Sequence, residues 1–271
     1  MKLSLAFSPC PNDTFIFDAL VNKKIDTKGF DFEVVLADVE TLNQHAIEQR
    51  FDITKISYGV FHKLMNDYVI LNSGSALGSG VGPLLISKIN PENIIIENQL
   101  IAIPGENTTA HFLFSTAYPN AQNKIFVRYD EIESFVLNEK GLGVIIHENR
   151  FTFKEKGLHK IIDLGDFWEN KTQSPIPLGG IVIKRNIDKV VQNQIDQLMK
   201  QSIEYAFSNY PMLADYVIKH AQEMSEDVMR NHIDLYVNDF SIALGENGRR
   251  AIEKMLTNYN VPVNESNIFV V

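Results

Sequence analysis

Short apolar runs recur through the first two thirds of the chain, and between them the apolar positions fall at helical spacing. The runs predict strands at Lys2–Phe7, Asp31–Ala37, Ile53–Ile56, Tyr68–Asn72, Gly82–Ser87, Leu100–Ile103, Ile125–Arg128, Leu142–Ile146, His159–Asp163 and Leu178–Lys184. The segments between them predict helices at Asp13–Asn22, Val39–Gln49, Tyr58–Met65, Thr108–Tyr118, Tyr129–Asn138 and Phe153–Lys156. Strands that alternate with helices in this way build α/β layers with largely parallel sheets. From Ile187 to about Asn258 the pattern turns helical, with Val190, Val191, Ile195, Leu198, Met199, Ile203 and Phe207 at helix spacing. Ser225-Glu-Asp-Val and Asp239-Phe-Ser-Ile read as further helix starts, and the apolar tail Asn267–Val271 as a terminal strand or docked segment.

Two stretches read as crossings between lobes. The first is Ile86–Glu97, where a strand gives way to a polar stretch containing Pro91; the second is Ser174–Lys184, where Ser-Pro-Ile-Pro-Leu-Gly-Gly precedes a strand. They predict a larger lobe of residues 1–88 plus 183–271 and a smaller lobe of residues 89–182. Two lobes joined by two crossings make a hinged central cleft, where small ligands bind.

Three of the predicted strands run through a polar turn into a helix, in Leu3–Phe15, Phe51–Gly59 and Leu100–His111. A helix N-terminus presents unpaired N–H groups and partial positive charge, so such turns hold anions. In Ser8-Pro-Cys-Pro-Asn-Asp-Thr14 two prolines stiffen the loop, and Asn12 or Asp13 is placed to cap the helix; a well-built turn with no ligand is the plain alternative. In Asp52-Ile-Thr-Lys-Ile-Ser-Tyr58, period-two alternation puts Thr54 and Ile56 on one face and Lys55 and Ser57 on the other. Lys55 is then poised to meet an anion and Ser57 to cap, against the alternative of an ordinary surface lysine. Pro104-Gly-Glu-Asn-Thr-Thr-Ala-His111 is the strongest of the three, with the Thr108 and Thr109 hydroxyls beside new helix N–H groups, although a capped helix explains it equally well. Gly74-Ser-Ala-Leu-Gly-Ser-Gly-Val-Gly-Pro83 lacks the Gly-Lys-Ser/Thr ending of a phosphate loop; its glycines permit close backbone approach, and Ser79 is placed to line the cleft.

Composition narrows the function. The net charge of −9 argues against wrapping nucleic acid or docking on anionic lipid. The single cysteine, Cys10, excludes an intrachain disulfide and a thiolate-rich metal site. Nothing flanking Cys10 predicts a lowered pKa, and lone cysteines are usually buried. No apolar run approaches the length of a membrane span, and the apolar start Leu3–Phe7 is too short for a signal core, so a cytoplasmic protein is expected. No metal constellation and no dinucleotide fingerprint is present, so neither a metal nor a cofactor is expected. In Leu142-Gly-Val-Ile-Ile-His147-Glu-Asn-Arg150, a histidine stands just past a buried strand, where sites of open α/β sheets lie. An imidazole takes a proton near neutral pH, Glu148 is placed to orient it and Arg150 to pair with an anion; a structural histidine is the alternative.

Taken in order, SPCPNDTFIF, DITKISY, LGSGVGPLL, IPGENTTAHFL and VIIHENRFTF resemble the 1,4-dihydroxy-6-naphthoate synthases of the futalosine route to menaquinone, over roughly residues 3 to 185. The resemblance implies a two-lobed periplasmic-binding-protein type 2 fold used as a cytoplasmic lyase without a cofactor, acting on the carboxylated small molecule cyclic dehypoxanthinyl futalosine. It implies binding contacts from Lys55, Ile56 and Ser57 and from Thr109 and Ala110, joined by Thr108 from the local reading, with His147 as catalytic proton acceptor. Two alternatives stay open on the same fold: a chorismate-dehydratase-like enzyme of the same route and a solute-binding protein without chemistry.

Overall fold

The computed structural model describes residues 1–221, 225–259 and 268–271. The chain divides into two compact units, residues 1–78 with 177–271 and residues 79–176. The first unit opens with β1 (Lys2–Phe7), α1 (Pro11–Val21), β2 (Asp31–Leu36), α2 (Val39–Ile47), β3 (Ile53–Ser57), α3 (Tyr58–Leu64), β4 (Tyr68–Ile70) and β5 (Ala76–Gly78). The second carries β6 (Leu84–Ser87), β7 (Ile101–Ile103), α4 (Thr109–Ala117), β8 (Lys124–Phe126), α5 (Ile132–Leu137), β9 (Leu142–Ile145), α6 (Asn149–Thr152), β10 (His159–Asp163) and α7 (Leu164–Thr172). The chain returns through β11 (Ile176–Lys184) to α8 (Lys189–Asn209), α9 (Asp215–His220), α10 (Glu226–Tyr236), α11 (Asp239–Ile242) and α12 (Gly245–Thr257). The divisions lie at 78/79 and 176/177, before the expected 88/89 and 182/183. The reason is pairing: β6 bonds to β9 and β10 inside the second sheet, and residues 179–184 of β11 bond to β3 and β4 in the first.

In the first unit the strand order is β2-β1-β3-β11-β4, with β5 also on β11. β1 runs parallel to β2 and β3, with Leu5 opposite Val34 and Ile53, whereas β11 runs antiparallel between β3 and β4. In the second unit the order is β10-β6-β9-β7-β8; β7 is parallel to β8 and β9, while β6 is antiparallel to β9 and β10. The sheets are therefore mixed where largely parallel ones were expected, because hydrophobic runs carry no information on strand direction.

Burial follows the predicted faces. α8 buries Ile195, Leu198, Met199 and Ile203 and packs on α1, whose Phe15, Ile16 and Leu20 join β1 and β3 in the first core. The second core gathers Leu84, Ile86, Ala102, Ile132, Val136, Ile145 and Phe153. α1 begins at Pro11, before the expected Asp13, since the fixed φ of proline suits a first helical position. The short helix expected at Phe153–Lys156 forms instead at Asn149–Thr152, directly after His147, and the chain then turns at Gly157 with φ +71°. Phe269 makes a parallel bridge to Ile70, so the tail docks on the first sheet; Asn267 lies outside the described residues. Among the described residues no helix is long and apolar enough to cross a membrane.

Candidate functional site

β1 and β3 are parallel neighbours, so both deliver their carboxyl ends to one edge of the first sheet. There β1 passes through Ser8 and Pro9 to Cys10, which holds the N-cap position of α1 in extended backbone, followed by Pro11 at the first helical position. The Asp13 carboxylate is the hub. It accepts from the Ser8 backbone N–H at 3.2 Å, the Ser8 hydroxyl at 2.7 Å and Asn12 Nδ2 at 3.0 Å, and its Oδ1 lies 3.2 Å from Lys55 Nζ. Lys55 Nζ also donates to the Gly74 carbonyl at 2.9 Å. Both charged side chains are buried, at 8% and 3% exposure. The anion that Lys55 meets is thus part of the protein, and any ligand group reaching Lys55 meets an ammonium already balanced by Asp13. Breaking such a buried pair from one side strands a charge, which is why it also orders the turn.

Ser57 ends β3 but does not cap α3 with its side chain, contrary to expectation. The Asn43 carboxamide claims it instead: Oδ1 accepts from the Ser57 N–H at 2.8 Å and Nδ2 donates to the Ser57 hydroxyl at 3.0 Å. Asn43 is fully buried on the inward face of α2 between Leu42 and Ala46, and a polar residue inside that apolar stripe was the available signal. The Ile56 side chain is core.

The second unit has a comparable edge. β8, β7 and β9 are parallel, and from their carboxyl ends emerge Tyr129, the 104–109 turn and His147. The turn is set by Gly105, whose φ of +119° is costly for any side chain. Thr108 caps α4: its hydroxyl accepts from the His111 N–H at 3.2 Å and donates its proton to the Gly105 carbonyl at 2.9 Å. That hydroxyl is spent on the turn; Thr108, Thr109 and Ala110 are all buried.

His147 adopts φ +58°, a left-handed conformation that strains a residue with a Cβ. Among the described residues, the other non-glycine positions with positive φ are exposed turn or helix-end positions, and His147 is the half-buried one, beyond a core strand. The kink between β9 and α6 turns its ring edge-on to Tyr129, with centroids 5.1 Å apart and planes at 73°. Its carbonyl accepts from the Arg150 N–H at 3.2 Å. Glu148 does not orient the ring; its Oε2 is buried without a hydrogen-bond partner. Arg150, expected to pair with a ligand anion, is engaged inside the unit by the Asp163 carboxylate at 2.6 Å, the Gly80 carbonyl at 2.6 Å and the Gly82 carbonyl. Asp163 in turn caps α7 through the Gly165 and Asp166 N–H groups. Gly82 touches Gly165 so closely that a Cβ on it would lie 2.2 Å from the Gly165 nitrogen, which accounts for the glycine-rich stretch at this point. Ser79 is exposed. Among the described residues no group of three His, Cys, Asp or Glu side chains gathers to hold a metal.

A family model described as menaquinone biosynthesis matches residues 3–260. A Thermus thermophilus protein named 1,4-dihydroxy-6-naphtoate synthase is 43% identical over 254 residues, spanning 93% of this chain and 92% of its own. A crystal structure of an Archaeoglobus fulgidus protein superposes with a TM-score of 0.89 at 30% identity, covering 96% of this chain and 97% of that one. A Candida albicans gene product described as having the generic periplasmic-binding-protein fold superposes with a TM-score of 0.68 at 11% identity, over 100% of this chain and 97% of that one. At that identity the likeness speaks for the fold alone, and it agrees with the periplasmic-binding-protein-like fold expected from the sequence.

Proposed function

We propose, from the premise that the chain belongs to the menaquinone-biosynthesis family, that this enzyme is a cytoplasmic carbon–carbon lyase converting cyclic dehypoxanthinyl futalosine to 1,4-dihydroxy-6-naphthoate. The observation that carries the reading is the near full-length match to a relative bearing that enzyme's name. His147 is the proton acceptor. Its support is local: a half-buried imidazole, held in a strained backbone conformation at the carboxyl end of a parallel strand, in T-shaped contact with an aromatic ring. It takes a proton from the sugar-derived part of the substrate. Elimination and cleavage of the carbon–carbon bond to the sugar-derived part then release that part as a separate fragment and leave the dihydroxynaphthoate, whose aromaticity drives the reaction. The substrate contacts are Lys55 and the backbone of Ile56 and Ser57 on the first unit. On the second they are Thr109, Ala110 and the helix N–H groups that follow Thr108. The carboxylate binds where unpaired N–H groups are provided, which is what helix starts supply.

The direct test is incubation of the purified protein with cyclic dehypoxanthinyl futalosine, followed by chromatographic and mass analysis for 1,4-dihydroxy-6-naphthoate. Turnover to that product is expected. Folded protein that binds the substrate and releases no product would instead be a binding protein.

A further inference from the structure

Asn12 stands in the first turn of α1, beside the Asp13–Lys55 pair, and is nine-tenths buried. Its amide has only one chemically sensible orientation. Asp13 is a carboxylate and can only accept, so the group 3.0 Å from its Oδ1 is the Asn12 NH2, and the carboxamide oxygen is the atom left over. That oxygen is buried with no hydrogen-bond partner. An acceptor in this state carries a desolvation penalty that a donor would remove. The neighbouring ammonium is in the complementary condition. Lys55 has three N–H bonds, of which Asp13 Oδ1 takes one at 3.2 Å and the Gly74 carbonyl another at 2.9 Å. An acceptor short of a donor and a donor short of an acceptor are therefore anchored to the same carboxylate oxygen.

We propose that Asn12 is a specificity-determining substrate contact: its Oδ1 accepts a ligand hydroxyl while the remaining N–H of Lys55 donates to an adjacent ligand oxygen. Such a couple selects a hydroxyl-bearing group over a bare carboxylate, which has no proton to give Asn12. On the substrate named above it reads the sugar-derived part, and in that respect the inference rests on the proposed function. Asp13 is the positioning residue, since it fixes both partners without facing the ligand itself.

Binding is measured by calorimetric titration with cyclic dehypoxanthinyl futalosine in a His147→Asn background, which removes turnover from the measurement. Adding Asn12→Ala is expected to raise Kd roughly tenfold to a hundredfold, the effect of losing one buried hydrogen bond to a ligand. Substrate analogues in which each sugar hydroxyl is replaced by hydrogen supply the second arm. One analogue should bind the Asn12 protein about tenfold more weakly, with no further loss on Asn12→Ala, because the same bond is removed from either side. An unchanged Kd in Asn12→Ala, or losses that simply add for every analogue, overturns the inference while leaving the proposed function standing. Should Asn12→Ala fail to fold, the analogues decide against the Asn12 protein itself: if none is weakened, no hydroxyl is read. No binding in the His147→Asn background, together with no product from the parent protein, overturns the functional reading and this inference with it.

Discussion

The two strand edges use opposite electrostatics. At the ends of β1 and β3, full charges are present and paired: Asp13 is held by Ser8, Asn12 and Lys55, and Lys55 also by Gly74. At the ends of β7 and β9, the groups facing the turn are hydroxyls, N–H dipoles and one imidazole, and the full charge of Arg150 is held by Asp163 and glycine carbonyls. At the first edge the charged partners are buried and paired, with the Asn12 carboxamide oxygen left over. The second carries its strain at a single residue, His147. Under the proposed function, Lys55 and the β3 end are substrate contacts and His147 is the proton acceptor. Histidine is the side chain ordinarily suited to serve as a base near neutral pH, whereas a lysine–carboxylate pair contributes position.

Substitutions should separate these roles. The largest effect is expected from His147→Asn, with kcat falling roughly a hundredfold to ten-thousandfold and KM nearly unchanged, the signature of a lost general base; near-normal turnover would remove His147 from the chemistry. Asp13→Ala should strike stability, costing about 3–5 kcal/mol because Lys55 is left charged and buried. Chemical denaturation measures this, and a loss below about 1 kcal/mol would mean that water reaches Lys55 readily. Asn43→Ala should cost about 1–3 kcal/mol by leaving the Ser57 N–H buried and unmade, with a higher Kd for substrate since the β3 end then loosens. Thr109→Val should weaken substrate binding by about tenfold or less, an ordinary single hydrogen bond; unchanged affinity by titration would restrict the second edge to its backbone.

The smallest effect concerns pH. Burial lowers the pKa of His62, half-buried and stacked on Tyr259 at 3.8 Å, against a smaller opposing effect of the Gly59 carbonyl. Because the folded value lies below the unfolded one, the unfolded chain binds more protons in the interval between them. Stability is therefore complete above the ordinary histidine pKa and declines as pH falls through the lowered one. Replacing His62 by Gln should flatten the acid side of a plot of melting temperature against pH; an unaltered slope would show that other groups govern it.

Much of this was legible in the sequence where the signal is local. The ends of β1, β3, β7 and β9 follow from apolar runs that stop at polar turns, and the placement of His147 beyond a buried strand follows with them. The partners of the polar residues did not follow, because pairing is long-range. Nothing near Lys55 announces Asp13 as its counter-ion, and nothing near Arg150 announces Gly80, Gly82 and Asp163. Ser57 had the composition of a cap, yet Asn43 from another helix satisfied it better. The antiparallel course of β11 between β3 and β4 was equally hidden, since a buried strand reads the same in either direction. The strain at His147 escaped too, as histidine carries no preference strong enough to predict a left-handed backbone.

That course of β11 has a consequence for biosynthesis. The position between β3 and β4 in the first sheet is filled by a strand made as the second unit ends. While the ribosome is still translating residues 79–176, β3 presents an open edge where β11 will lie, and α1 lacks the α8 face that covers it. The second unit is contiguous and has its own core, so it can be complete while the first is not. The nascent chain must carry an unfinished sheet through this interval, when exposed strand edges are most prone to pair wrongly. A pause in translation shortly before residue 177 would prolong that exposure; one made only after β11 and α8 have both left the ribosome would not.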